Sequence, residues 1–369
     1  MVRRFSIQTA LVACFMLVFA SSVKADLQED ITKLVGDNAT SYIHPITNSL
    51  GVGMNSGWYN SSKSYKLFGL PIGLQANFGM GVSMTNDDLR KYDFEGEINV
   101  DGVPGLSGIF SALNTELQAA GYDTLPSKIS LNKADVPTIV GAEEAPVFTL
   151  ANLLPATSVA DMRTFNVTAN GFGQDTIPLD DTLFALPPGL NLEAVPYIPN
   201  VGINIGLPFK VQLGLRYFPT TSVPDFGDVG LLGLKVQYEF TEWVPVVNNL
   251  PLLHTSAFWA MNNLEMGVLE LNNWISMVNV SADFKFLIGL GIYGGIGIES
   301  STMNLNYTVN APGTALDGQK VSLSDEGDNF FRAQAGVRLS LLIFDIFADA
   351  NFGETTSYNL GIGIGLNGL

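Results

Sequence analysis

The chain has 369 residues, a formal net charge of −17, 14% charged residues and 38 glycines, with a mean hydropathy of +0.25. So acidic a balance excludes a nucleic-acid binder, whose phosphate contacts need Lys and Arg. Beyond its first residues the chain lacks an apolar run of the ~20 residues a membrane helix needs, so its apolar residues must be spread by alternation, as in a barrel in lipid.

In chain order, residues 1–25 read as an export signal. Arg3 and Arg4 make a positive start, residues 10–20 are all apolar, and Val23-Lys24-Ala25 fits a cleavage site before Asp26. Leu11-Val12-Ala13-Cys14 also has the shape of a lipid-attachment box, but the apolar run continues past Cys14, where a mature lipoprotein turns polar. Cleavage removes Arg3, Arg4, Lys24 and the only cysteine. The charge becomes −20, and no thiol remains for a disulfide, a nucleophile or a metal site. Acidic residues open a short helix pattern at 26–35, ahead of Pro45. The segment 26–50 is either a plug in the mouth of a barrel or a periplasmic tail.

From residue 51 the dominant signal is period-2 alternation, which puts apolar residues on one face of a strand. Ile72, Leu74, Ala76, Phe78, Met80, Val82 and Met84 alternate with Gly73, Gln75, Asn77, Gly79, Gly81 and Ser83. The pattern returns at 210–217, 232–240, 279–286, 288–299, 332–339 and 358–367. Such runs approach the ~9–11 residues of a tilted membrane strand and exceed the ~5–6 of a soluble one. Their polar faces carry Gly, Asn, Gln and Ser with isolated charges, where a soluble sandwich would be charged. Trp58, Tyr217, Trp243, Trp259, Trp274, Phe330, Phe331, Phe352 and Tyr358 fall mainly near strand ends, as interfacial girdles do. Residues 85–190 break the rhythm. They hold a polar run at 86–91, a helix pattern near 106–120, strand-like pieces at 127–132 and 162–169, and prolines at 178, 187 and 188. Long loops of this kind lie outside the cell. The expected fold is all-β: one transmembrane antiparallel barrel over 51–369, of about 12 to 14 strands, with a short N-terminal helix and a loop or plug elaboration at 85–190.

Lys210, Arg216, Lys235, Glu239, Asp283, Lys285, Arg332, Arg338, Asp345 and Asp349 fall on the polar side of their strands. They are the candidate lumen-facing residues, either as ion pairs between strands or as a charged constriction that selects solutes. Other motifs carry less. Gly289-Leu290-Gly291-Ile292-Tyr293-Gly294 matches a dinucleotide fingerprint, but alternation runs straight through it, so it reads as a glycine-faced strand. His44 and His254 lack metal-ligand spacing. Asp325-Glu326-Gly327-Asp328 lacks the spacing of a calcium loop and reads as a solvated turn. Catalytic, cofactor and metal residues are expected to be absent, and no enzyme is expected.

Tyr42, Pro45 and Asn55-x-Gly57-Trp58-Tyr59 resemble the start of a family of outer-membrane barrels of unknown function from Bacteroidetes-type bacteria. The same order continues through Pro137-Thr138-Ile139-Val140-Gly141, Leu186-Pro187-x-Gly189-Leu190-Asn191-Leu192, Leu215-Arg216-Tyr217-Phe218-Pro219, Trp243-Val244-Pro245 and Leu250-Pro251. The layout is also similar, at the level of fold, to that of outer-membrane fatty-acid transporters. The resemblance implies a barrel in the bacterial outer membrane and brings no catalytic residues. Two functions are carried forward: passive passage of small or hydrophobic solutes, and a non-conducting structural or docking barrel whose outer loops bind a partner. The expected partners are outer-membrane lipid and such a solute.

Overall fold

The computed structural model describes residues 37–63, 71–82, 87–99, 126–149, 182–223, 227–285, 289–308 and 320–365, with single positions between 110 and 124. The export signal, the helix pattern at 26–35 and the strand-like piece at 162–169 lie outside the described residues. In the stretch 106–120, the described positions Phe110, Ser111, Asn114, Thr115 and Gln118 are helical.

Helix α1 (Asp37–Met54) precedes fifteen strands. They are β1 (Ile72–Val82), β2 (Lys91–Asn99), β3 (Lys128–Pro137), β4 (Val147–Thr149) and β5 (Thr182–Ala185), then β6 (Ala194–Gly206), β7 (Val211–Val223), β8 (Gly227–Glu239), β9 (Leu253–Met266) and β10 (Leu269–Lys285). The last five are β11 (Gly289–Thr308), β12 (Lys320–Glu326), β13 (Phe331–Leu341), β14 (Phe344–Phe352) and β15 (Thr356–Ile364). Ten of them close into an antiparallel ring in the order β1, β6, β7, β8, β9, β10, β11, β13, β14, β15, and β15 pairs back with β1. Closure removes the sheet edges that would otherwise leave backbone groups unpaired.

The ring has ten strands where the sequence led us to expect about 12 to 14. Two features account for the difference. Strands β2 to β5 pair only with one another, as two small sheets within the elaboration. Strands β10 and β11 are 17 and 20 residues long and run well past the ring, so chain length goes into height instead of circumference. Strand β12 pairs with that overhanging part of β11.

The two faces of the ring invert the pattern of a soluble protein. Ile292, Ile296, Leu360 and Ile362 are each at least half exposed on the outside. Gln75, Asn77, Asn204, Arg216, Lys235, Asn279 and Arg338 are buried inside. Tyr217, Trp274, Phe331, Phe352 and Tyr358 are exposed toward one end of the ring, and Phe209, Trp243 and Phe344 toward the other. The first end carries the elaboration and the overhang. At the second, the short-turn end, no link between ring strands is longer than the thirteen residues from Phe240 to Leu252, and the shortest is the two-residue link between Leu341 and Phe344.

Inside, small residues make room. A Cβ at Gly79 would sit 2.2 Å from Tyr197 Cε1 and 2.4 Å from the Tyr358 carbonyl oxygen. Gly79→Val is therefore expected to destabilise the refolded barrel by about 1–3 kcal/mol, read as a lower urea unfolding midpoint. Ile362→Val on the outer face is expected to stay within about 0.5 kcal/mol of wild type.

Candidate functional site: a filled lumen

Residues 37–63 lie inside the ring and touch all ten of its strands. Tyr197 of β6 packs on Gly53, whose added Cβ would stand 2.7 Å from the ring. The other nine strands each share a hydrogen bond with the segment, through its backbone or one of its side chains. Pro45 stands within α1 and cannot donate to the carbonyl of Ser41, one turn back. The enclosing wall holds the helix together across that break.

A helix end buried away from water must find donors for its last four carbonyls. Here they come largely from the wall. Asn273 donates to the Gly51 carbonyl at 3.3 Å, Arg332 Nη1 to Val52 at 3.1 Å, and Arg216 Nη1 and Asn262 Nδ2 to Met54 at 3.1 and 3.3 Å. The Gly53 carbonyl accepts from Ser56 N–H at 3.0 Å. Gly57 then turns the chain with φ of +69°, a conformation glycine adopts without strain. The irregular residues that follow, 58–63, are bound in the same way. Lys235 Nζ donates to the Trp58 carbonyl at 2.9 Å, Arg338 Nη1 to Asn60 at 3.0 Å, and Gln237 Nε2 to Ser61 at 3.0 Å. Cations at a helix C-terminus also complement its dipole. The Arg216 guanidinium lies 3.8 Å from the centroid of the Trp58 ring, a cation–π contact.

Four buried carboxylates share the lumen with these four cations. Glu299 pairs with Arg332 at 2.7 Å, and Asp283 with Arg338 at 2.5 Å. The second pair reaches across β11 because Gly291 lies between them. A Cβ there would be 3.3 Å from both Arg338 and Asp283. The glycine column of β11 is thus the space in which inward side chains meet. Asp349 accepts from Tyr293 Oη at 3.1 Å, Asn359 at 2.9 Å and Asn351 at 2.8 Å, and Asp345 accepts from Ser340 Oγ.

The ten sequence-derived candidates therefore divide. Arg216, Lys235, Asp283, Arg332, Arg338, Asp345 and Asp349 are buried within the ring. Glu239 sits at the short-turn end, 3.3 Å from His254 Nδ1. Lys210 does not line the lumen. It belongs to the turn Pro208–Lys210, has φ of 62°, and pairs with Glu242 of the next turn at 2.7 Å. The alternation at 210–217 starts one residue before β7, which begins at Val211, so parity misplaced it. Lys285 pairs through its backbone with Gly289 at the end of β10. Glu299 was visible at the end of the glycine column but was not singled out.

His44 is a second departure from the sequence reading. Its Nδ1 lies 3.0 Å from Asp325 Oδ1 and its Nε2 2.9 Å from Asp328 Oδ2. The acidic turn is thus a clamp on α1, with Asn48 bonded to Asp328 as well. The clamp stands where β12 pairs with the overhang of β11, past the ring. The hydrogen bond to Asp325, opposed by burial and reinforced by Asp328, raises the His44 pKa from 6.5 to about 9. Among the described residues no group of acidic, histidine or cysteine side chains could hold a metal ion. The motifs that carried the family resemblance also meet here. Gly189, Leu190, Asn191 and Leu192 donate backbone bonds to Ala142, Ile139, Gly141 and Val140, and Ile139 donates to the Tyr42 carbonyl of α1.

Two measurements test this wiring. Arg332→Met leaves Glu299 buried without its partner and is expected to cost about 3–5 kcal/mol by urea unfolding, with most of the loss restored by adding Glu299→Gln. A histidine raised on folding stabilises fully below its unfolded pKa and loses that contribution as pH climbs through about 9. The wild-type unfolding midpoint should therefore fall more steeply than that of His44→Gln between pH 6.5 and 9.5.

Among curated proteins none matches this chain. Among solved structures, the KdgM porin shares 10% identity over 46% of this chain and 92% of its own, with a TM-score of 0.24. Ail, the attachment invasion locus protein of Yersinia pestis, shares 14% over 42% and 93%, with a TM-score of 0.23. A mutant porin of Rhodopseudomonas blastica shares 12% over 80% and 99%, with a TM-score of 0.15. TM-scores this low give these overlaps no weight for fold or function. A family model described as "Family of unknown function (DUF6588)" matches residues 4–366. By that match over nearly its whole length, the chain belongs to the family of unknown function DUF6588.

Proposed function

We propose that this protein spans the bacterial outer membrane as a barrel corked by its own N-terminal segment, and that it passes small or hydrophobic solutes by a gated route. The observation that carries the reading is the contact of residues 37–63 with all ten strands, which sets the segment across the lumen. The apolar outer face, bounded by aromatic residues toward both ends, supports burial in lipid. An outer groove of about 460 Å³ lined by Leu74, Ala76, Val201, Ile346 and Ile362 suits an acyl chain. The end that bears the long elaboration belongs outside the cell and the short-turn end in the periplasm.

A side route suits a hydrophobic solute better than an axial one. Strands β6 and β7 pair only from Gly206↔Gln212 to Val201↔Tyr217, although each continues toward the elaborated end. Pro196 and Pro199 on β6, and Pro219 on β7, lie in those continuations and have no N–H to extend the ladder. That unpaired stretch is the side route proposed between the barrel mouth and the surrounding bilayer. A second reading, a non-conducting barrel whose outer loops dock a partner, is favoured by how completely the carbonyls of the plug are satisfied.

Planar-bilayer recording on the refolded mature protein and on a variant lacking residues 26–63 tests this. The mature protein is expected to carry no steady current and the deletion variant to conduct. Liposomes containing the mature protein should take up a fluorescent fatty acid faster than empty ones. Steady current through the intact protein would refute the cork. No current and no uptake in either form would leave the docking reading.

A further inference from the structure

The three described turns at the short-turn end hold bulky apolar residues where turns ordinarily use Gly, Asn or Asp. In the β6–β7 turn Phe209 has φ of 64° and is 89% exposed, and in the β13–β14 turn Leu342 has φ of 55° and is 78% exposed. Left-handed backbone is disfavoured for any residue with a Cβ, and Gly would adopt it at little cost. An apolar side chain kept in such a conformation and held away from the protein gains nothing from water. It gains where its surroundings are apolar.

The β8–β9 turn, residues 240–252, repeats this on a larger scale. It is built from the 3-10 turn Thr241–Trp243 and the one-turn helix Pro245–Asn248. Thr241 is buried and anchors it, its Oγ1 accepting from the Thr255 N–H at 3.0 Å. Backbone bonds from Trp243 to Phe240, from Asn248 to Val244 and from Leu253 to Leu250 fix the rest. On this ordered frame Trp243 is 73% and Val246 74% exposed, and Leu250 and Leu252 are exposed as well. The Trp243 ring stands edge-on to Tyr238, with centroids 5.4 Å apart. Tyr238 continues the outward column Leu232, Leu234 and Val236 of β8, so the turn joins the lipid-facing side of the wall. The Lys210–Glu242 pair, at 2.7 Å, links it to the β6–β7 turn and so to Phe209.

Exposed apolar surface gathered in this way marks a contact with a partner or a membrane. Its continuity with the outer face of the ring chooses the membrane. The charge of Lys210 is met by Glu242, so apolar insertion drives the contact and anionic headgroups are not needed. We infer that the β6–β7 and β8–β9 turns form a foot that inserts Phe209, Trp243, Val246 and Leu250 into the headgroup region of the inner leaflet. The opening of the barrel faces the periplasm, while these turns lean on the lipid around it. Tryptophan suits that depth, with an apolar body and one N–H for the wet zone. The inference rests on the barrel standing in a membrane, as proposed above, and needs neither the cork nor transport.

The test is tryptophan fluorescence of the refolded mature protein in vesicles of brominated phosphatidylcholine. Trp259→Phe with Trp274→Phe keeps Trp243 beside the buried Trp58, and Trp243→Phe with Trp274→Phe keeps Trp259 of the lipid-facing wall beside it. Trp243 is expected to be quenched, more by bromines near the glycerol end of the acyl chain than by bromines at mid-chain. Quenching of Trp259 without any quenching of Trp243 would overturn the foot and leave the membrane reading standing. Failure of both to be quenched would overturn the two together. Phe209→Ser, at a side chain that touches little of the protein, is expected to lower the urea unfolding midpoint in vesicles, and an unchanged midpoint would overturn its insertion.

Discussion

Backbone carbonyls that cannot reach water govern this molecule. A helix that stops inside a closed barrel carries four acceptors into a space walled off from solvent, and the irregular residues after it carry more. Side chains of the wall supply the donors, and the strongest are charged. That requirement places Arg216, Lys235, Arg332 and Arg338 where they are. The carboxylates then follow, because four buried cations on carbonyls alone would be unbalanced. The glycines follow too, since guanidinium groups reaching inward need strands that concede volume. Plug, charges and glycine columns are one arrangement.

The outward half of this arrangement was legible from the amino-acid order. Seven ring strands announce themselves because lipid demands an apolar residue at every second position. The three that do not each have a physical reason. Strand β6 shifts register against β1 between Asn77 and Gly79, so its inward positions run Val195, Tyr197, then Asn200 and Asn204, and the parity is broken midway. Strand β9 carries apolar residues on its inner face between the polar Ser256 and Asn262, because Phe258 and Ala260 meet the aromatic residues of the plug. Strand β14 is short and turns Phe347 inward. Seven of the ten charged candidates that parity put on the polar side of their strands are buried within the ring. Their partners were not legible, since a carbonyl leaves no mark in a sequence. For the same reason His44 read as isolated, although its partners stand 281 and 284 positions away.

Beyond the ring the inner surface changes character. Val229, Leu231, Leu264, Met266, Leu269, Leu271, Met303 and Leu305 are buried on the overhanging parts of β8 to β11, where the ring itself would present Asn, Gln or Arg. Thr47 of α1 lies against Met303 there. The helix is therefore held by two unlike environments along its length: oily packing and a histidine clamp near its start, and charge-assisted hydrogen bonds at its end. The first is non-directional and tolerates rotation. The second fixes register residue by residue.

The order of the strands around the ring has a consequence for biogenesis. Every ring strand neighbours the next ring strand in the chain, so the wall can grow strand by strand, and of its two longest-range pairings, β1 with β6 across the elaboration and β1 with β15, the second is by far the longer. Joining Leu74 to Ile364 closes a loop of nearly three hundred residues, the kind of contact that forms late. The plug lies ahead of β1 in the chain, and its helix begins at the elaborated end, where Asn38 bonds Glu95, while Lys63 lies by Asp283 near the short turns. It must be lying in the trough of the curved sheet before the last seam zips, because threading a helix with a bonded acidic clamp into a finished cylinder would require breaking most of what holds it. The barrel is thus wrapped around its core, and β15 is the clasp.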